Sequence, residues 1–158
     1  APFSMISVVI PVYNRPKAAL RAARSALAQD TGGADEVEVV APECTFPDVT
    51  YVDTNGVAYT RKDLVGKVVV VNFWATWCKP CLKEIPDFSH VYERTKAQGV
   101  IFLGILTSDT PDEDTLLNFQ SDHEMTYPVI RANSDILVSY NYPESLPTTI
   151  VFAEMSVE

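Results

Sequence analysis

Apolar residues recur along this chain at two spacings, and the switches between them mark out its elements. Ser7-Val8-Val9-Ile10-Pro11-Val12-Tyr13 is apolar and β-branched and reads as a strand, with Pro11 marking an edge or an end. Asn14 and Pro16 supply helix-start signals, and Leu20, Ala23 and Leu27 then recur at helical spacing in a segment that runs from Pro16 to Gln29. Thr31-Gly32-Gly33 stops it. Glu36 to Ala41 has the character of a further short strand, and the aperiodic stretch between Pro42 and Pro47 reads as a linker.

From Phe46 onward the pattern changes. Thr50 to Asp53 and Val57 to Thr60 predict a hairpin that turns through Asn55-Gly56, a pair suited to tight turns. Val68 to Trp74 is continuously apolar apart from Asn72, as expected of a strand covered on both faces. Leu82, Ile85, Phe88 and Tyr92 form a helical stripe that ends by Gly99, and Val100 to Leu106 is a second buried-type strand. Together these predict a β-α-β unit with parallel strands and a right-handed crossover. Thr110-Pro111-Asp112-Glu113 has the form of a capping box ahead of a helix carrying Leu116, Leu117 and Gln120. A short strand over Tyr127 to Ile130, a short helix over Asn133 to Tyr140 and a strand over Thr148 to Phe152 complete the pattern.

The 158 residues suffice for one ordinary domain, and 47% hydrophobic with 21% charged residues is a globular composition. A formal charge of -9 disfavours nucleic acid and anionic membrane surfaces as partners, since both would be repelled. No apolar run approaches the roughly 20 residues that cross a bilayer. The three cysteines are one close pair, Cys78 and Cys81, and the distant Cys44. An odd, unevenly spread set argues for chemistry over a disulfide framework.

The sharpest chemical signal is Trp77-Cys78-Lys79-Pro80-Cys81, placed between a buried strand and a helix. Cysteines three apart on a first helical turn can close a small disulfide with little backbone movement. Backbone N–H groups at the helix start, with Lys79 nearby, favour a thiolate. Cys78, nearer the helix start and solvent, is therefore expected to attack, and Cys81, one turn inward, to resolve the mixed disulfide. Half of a zinc site is the competing structural reading. Only Cys44, His90 and His123 remain as further ligands, scattered along the chain, so no metal and no organic cofactor is expected. Cys44 is read as a bystander thiol, and the two histidines as helix-surface residues. Trp77, next to Cys78, is placed to shape a substrate surface at the site's rim, whereas Trp74 is read as core.

The stretch Val71-Asn72-Phe73-Trp74-Ala75-Thr76-Trp77-Cys78-Lys79-Pro80-Cys81-Leu82-Lys83-Glu84-Ile85-Pro86 resembles the active-site segment of the TlpA/ResA-like branch of the thioredoxin superfamily, and the similarity runs from about Phe46 to Phe152. The resemblance implies an α/β thioredoxin-like fold, a central mixed sheet flanked by helices, with disulfide exchange on protein thiols in an extracytoplasmic setting. It also implies a cis Pro147 in the loop Leu146-Pro147-Thr148-Thr149, whose Leu146 backbone would offer an edge to an extended substrate peptide. Substrate contact is thus expected at Trp77, Lys79, Pro80, Leu146, Pro147 and Thr148. Glu84, three residues after Cys81 on the same helix face, matches a glutamate of this branch and would exchange a proton with the inner thiol, against the simpler reading of a solvated helix charge. Asn72 stands where thioredoxins proper carry a buried aspartate.

Two features depart from the family. The opening Ile6 to Pro16 resembles the start of family-2 glycosyltransferases, a likeness that fades after Val40, so residues 1–44 are read as a fusion-like β-α segment and linker ahead of a thioredoxin-like domain at 45–158. A thioredoxin fold also closes with one more strand and helix after Phe152, where only six residues remain. The N-terminal strand and helix have the type and order of that missing pair. They are expected to cover the exposed edge beside Thr149 to Phe152, within the chain or by exchange between two chains of a homodimer. A peroxidase is disfavoured by the paired cysteine at the helix start. A catalytically inactive interaction module on the same fold is the alternative to an exchange enzyme.

Overall fold

The computed structural model describes residues 46–152 together with the backbone of a strand at Ser7–Ile10. In chain order the elements are β1 (Ser7–Ile10), β2 (Tyr51–Val52), β3 (Ala58–Tyr59), α1 (Arg61–Leu64), β4 (Val68–Trp74), α2 (Lys79–Thr95), β5 (Val100–Leu106), α3 (Glu113–Asp122), β6 (Val129–Arg131), α4 (Ser134–Ser139) and β7 (Thr148–Phe152). Five strands form one mixed sheet in the order β1-β7-β4-β5-β6, in which β4, β5 and β6 run parallel and β7 is antiparallel to both β4 and β1.

The two continuous apolar runs lie at the centre, and all seven residues of β4 and all seven of β5 are buried. Alternation sends each run to two cores. Val69, Val71 and Phe73 join Ile101, Leu103 and Ile105 on one face, where Phe46, Tyr51, Leu64 and Ile136 cover them. Val68 and Val70 join Val100 and Phe102 on the other, under Phe88 and Val91 of α2. Near the C-terminal ends of β4 and β5, Trp74, Leu106, Leu116 and Val129 close a third cluster that contains both Cys78 and Cys81. The fold therefore delivers the cysteines to the carboxyl edge of the two central parallel strands, where open α/β sheets place their sites.

The hairpin forms as its sequence predicts, pairing Tyr51 with Tyr59 and Val52 with Ala58. The Asp53 carboxylate holds its turn by accepting from the Asn55 and Val57 backbone N–H groups. Gly99, at φ 82, caps the turn after α2, a left-handed position that costs glycine little. Pro86 sits within α2 without ending it, its ring exposed to solvent. Gly104 has a packing reason instead: a Cβ there would lie 2.7 Å from Tyr127 Cε2 and 3.3 Å from Trp74 Nε1.

The structure corrects two local expectations. The cap of α3 is Asp112, whose carboxylate accepts from Thr115 N, so the helix starts later than a box on Thr110 would place it. The sequence reading also passed over α1, where a real capping box joins Thr60 and Asp63. At the far edge, β1 pairs with β7 in antiparallel register, Ser7 opposite Phe152 and Ile10 opposite Thr149. The strand half of the expected docking is thus seen, with Ser7–Ile10 beside β7. The predicted helix over 16–29, the strand over 36–41 and the linker lie outside the described residues.

Candidate active site

The site begins with the loop that leaves β4. Cys78 N donates to Ala75 O, which turns the chain, and Leu82 N donates to Cys78 O as the first bond of α2. Cys78 is accordingly the N-cap residue of a 17-residue helix whose first turn holds no acidic residue. Its sulfur accepts a hydrogen bond from the Cys81 backbone N–H at 3.3 Å. An N-cap side chain normally supplies oxygen for that purpose, so here a cysteine sulfur takes the place where partial positive charge collects.

Cys78 and Cys81 form a disulfide, with Cα atoms 5.2 Å apart. The expected difference in exposure is absent, because Cys78 is 3% and Cys81 2% accessible. Both sulfurs lie in the cluster of Trp74, Ala75, Leu106 and Leu116, with Leu146 packed on it. What distinguishes the cysteines is therefore position relative to the helix end. Around them Trp77 is 62% exposed and Lys79 and Pro80 face solvent, which leaves a rim of one large ring, one cation and one proline.

The Leu146-Pro147 peptide bond is cis. Leu146 is half-buried against the disulfide cluster, Pro147 is buried, and Thr148 opens β7 with its hydroxyl donating to Ser145 O at 2.6 Å. Trp74 is fully buried and stacked on Phe119. Asn72 is committed elsewhere, donating through Nδ2 to Thr149 Oγ1 at 3.0 Å, so it holds no proton for the cysteines.

Glu84 is only 4% exposed, which rejects the reading as a solvated helix charge. Burial pushes its carboxyl up to about 7, and the nearby Asp87 charge pushes in the same direction. An acid three residues from Cys81 thus changes charge near neutral pH, where a proton carrier works best.

Sequence reasoning missed the loop after β5. Asp109 Oδ2 accepts from Thr76 N at 3.1 Å and from the Thr76 hydroxyl, and Trp77 Nε1 donates to Ser108 O at 3.1 Å. Ser108 adopts φ 56 to present that carbonyl. Three bonds thereby tie the segment before Cys78 to the neighbouring strand's end. The one signal available in sequence was topological, since the loops after adjacent parallel strands must meet at the same edge.

A mixed sheet flanked by helices, with a disulfide at the helix start after its central strand and a cis proline leading into β7, defines a thioredoxin-like protein. The chain belongs to the AhpC/TSA family, which matches residues 42–157. It is 34% identical over 115 residues to the thiol-disulfide oxidoreductase ResA of Bacillus subtilis, covering 72% of this chain and 63% of that protein. The ResA of Geobacillus kaustophilus is also 34% identical, over 73% of this chain and 66% of the relative. The chain thus spans under two-thirds of these relatives' length. Among solved structures, a thiol:disulfide interchange protein of the thioredoxin family from Chlorobium tepidum superposes with a TM-score of 0.65 at 27% identity, covering 74% of this chain and 85% of that one. A secreted Mycobacterium tuberculosis disulfide oxidoreductase gives 0.57 at 28% identity, covering 69% and 79%. The likeness of residues 6–16 to a glycosyltransferase opening gains no support. The family match starts at residue 42, and Ser7–Ile10 is an edge strand of the thioredoxin sheet.

Proposed function

We propose that this chain is a thiol-disulfide oxidoreductase that exchanges its Cys78–Cys81 disulfide with protein thiols, working as a reductase. One observation carries the reading: the Cys78 sulfur caps a long helix and accepts a backbone N–H while bonded to a partner one turn inward. In the reduced chain the same N–H and the helix dipole stabilise negative charge on that sulfur.

The Cys78 thiolate attacks one sulfur of a substrate disulfide, forming a mixed disulfide and expelling the other sulfur as a thiolate that takes a proton from solvent. Cys81 gives its proton to Glu84, and the resulting thiolate attacks Cys78 Sγ. The Cys78–Cys81 bond forms and the second substrate sulfur leaves, to be protonated in turn. Two electrons have passed from enzyme to substrate, and an external dithiol restores the reduced pair.

Substrate lies across the rim. Trp77 offers a flat apolar contact, Lys79 a cation and Pro80 a rigid surface, while the backbone at Leu146, before Pro147 and Thr148, pairs with an extended peptide beside the disulfide. The role of Glu84 draws support from its burial, which with the Asp87 charge pushes its carboxyl up to about 7. An extracytoplasmic setting fits the description of one solved relative as secreted. No helix among the described residues is long and apolar enough to cross a membrane.

Insulin reduction driven by dithiothreitol tests the activity. The wild-type chain should accelerate it, and Cys78→Ser should lower the catalysed rate by about a thousandfold or more, since no other group replaces the nucleophile. Equal rates in the two proteins would leave the inactive interaction module as the surviving reading.

A further inference from the structure

Three polar side-chain atoms are enclosed on the α2 side of the sheet with no hydrogen-bond partner among the described residues: Trp74 Nε1, Glu84 Oε2 and the Tyr127 hydroxyl. Native interiors leave few such atoms unpaired, so three together call for an explanation. They converge. Trp74 Nε1 and the edge of the Tyr127 ring both press on Gly104, the position where any side chain would collide with Tyr127. Tyr127 also packs edge-on against Phe88, one turn along α2 from Glu84, with ring centroids 6.3 Å apart, and its phenol senses the Glu84 charge. Trp74 lies in the same cluster as both cysteines.

The three atoms are chemically complementary. The indole N–H only donates, the phenol donates readily, and a carboxylate oxygen only accepts. One internal water touching all three would have the three partners that buried waters typically hold. We propose that Tyr127 is a positioning residue for Glu84: its hydroxyl, with the Trp74 N–H beside it, is hydrogen-bonded to the Glu84 carboxylate through one enclosed water. The bond orients the carboxylate toward Cys81 and sets how tightly it holds a proton. Gly104 keeps open the space that the Tyr127 ring needs. The inference rests on the reading of Glu84 as the proton carrier for Cys81.

A donor aimed at a carboxylate favours its charged form. The groups facing Glu84 permit a clean reading of that effect. On α2, Asp87 raises its proton affinity, while Lys79 and Lys83 point to solvent. From the segment before β6, Tyr127 stays neutral because burial holds its phenol far above the usual range. On β4, Asn72 is neutral and bonded to Thr149, and the oxidised cysteine pair does not titrate.

The test follows the Glu84 carboxyl carbon by NMR against pH in the oxidised full chain, assigned through its loss in Glu84→Gln. Tyr127→Phe, which removes only the hydroxyl, should move the midpoint upward by about one pH unit. In the wild-type chain, which needs no variant to fold, the Tyr127 ring carbon bearing the hydroxyl should titrate with the same midpoint as Glu84. An unmoved or lowered carboxyl midpoint in Tyr127→Phe, or a Tyr127 signal blind to the Glu84 titration, overturns the proposal. Measuring the pH dependence of Cys81 attack in Glu84→Gln separates the two layers. A Tyr127→Phe shift with an unchanged Glu84→Gln rate profile upholds the positioning and removes the proton carrier. An altered Glu84→Gln profile with no Tyr127→Phe shift does the reverse.

Discussion

Cys81→Ser is expected to turn the chain from a turnover catalyst into a covalent trap. Cys78 keeps its place as N-cap, because its bond to position 81 is made by the backbone N–H and not by the Cys81 side chain. The first attack on a disulfide substrate therefore proceeds. The second cannot, since the serine hydroxyl does not displace a thiolate, and release falls to dithiol arriving from solution. Loss of an intramolecular partner held one helical turn away should slow turnover on the order of a hundredfold or more. A stoichiometric adduct linked through Cys78 should accumulate, visible by mass spectrometry and cleared by excess dithiothreitol. Undiminished turnover without an adduct would mean that Cys81 is not the resolving thiol.

The second large effect concerns stability. In the folded chain burial holds the Glu84 proton up to about pH 7, against a starting value of 4.5. A folded value above the unfolded one means that stability is fully present below pH 4.5 and is lost as pH rises through about 7. At about 1.4 kcal/mol per pH unit the loss is on the order of 2–3 kcal/mol by pH 8. Glu84→Gln mimics the neutral acid at every pH. Its oxidised form should match wild type near pH 4.5 in urea unfolding and exceed it by that amount at pH 8. Parallel curves for the two proteins would show that the carboxylate ionises without cost. A chain that retains such a group gives up stability at neutral pH, a cost that fits the proposed role of Glu84 as proton carrier.

Much of this arrangement is written locally. Short, β-branched, continuously apolar runs suit strands covered on both sides, which made β4 and β5 legible, and the helical stripe that follows the first of them placed Cys78 and Cys81 at a helix start. The apolar, β-branched Ser7–Ile10 was legible as a strand, and it pairs along β7. The parts that escaped depend on contacts between distant segments. Nothing near Thr76 announces that Asp109, 33 residues on, will hold its N–H. Tyr127 looked like the first residue of a strand, yet its ring meets Phe88 across the fold and its phenol senses Glu84. The exposure of Cys78 was misjudged for a similar reason, since proximity to a helix start says nothing of Leu106, Leu116 and Leu146 closing over it. The α3 cap shifted by two residues because Thr110 and Asp112 are both competent, and only the bond to Thr115 decides between them.

Disulfide exchange at this site depends most on the Cys78 sulfur carrying charge at low cost. Reducing the chain and following thiolate ultraviolet absorbance against pH, with Cys44→Ser and Cys81→Ser combined so that Cys78 is the one thiol left, measures this directly. Capping of the helix by sulfur predicts a midpoint for Cys78 at least about one unit below the ordinary cysteine value near 8.5. A midpoint at or above that value would contradict the assignment of Cys78 as the attacking thiolate.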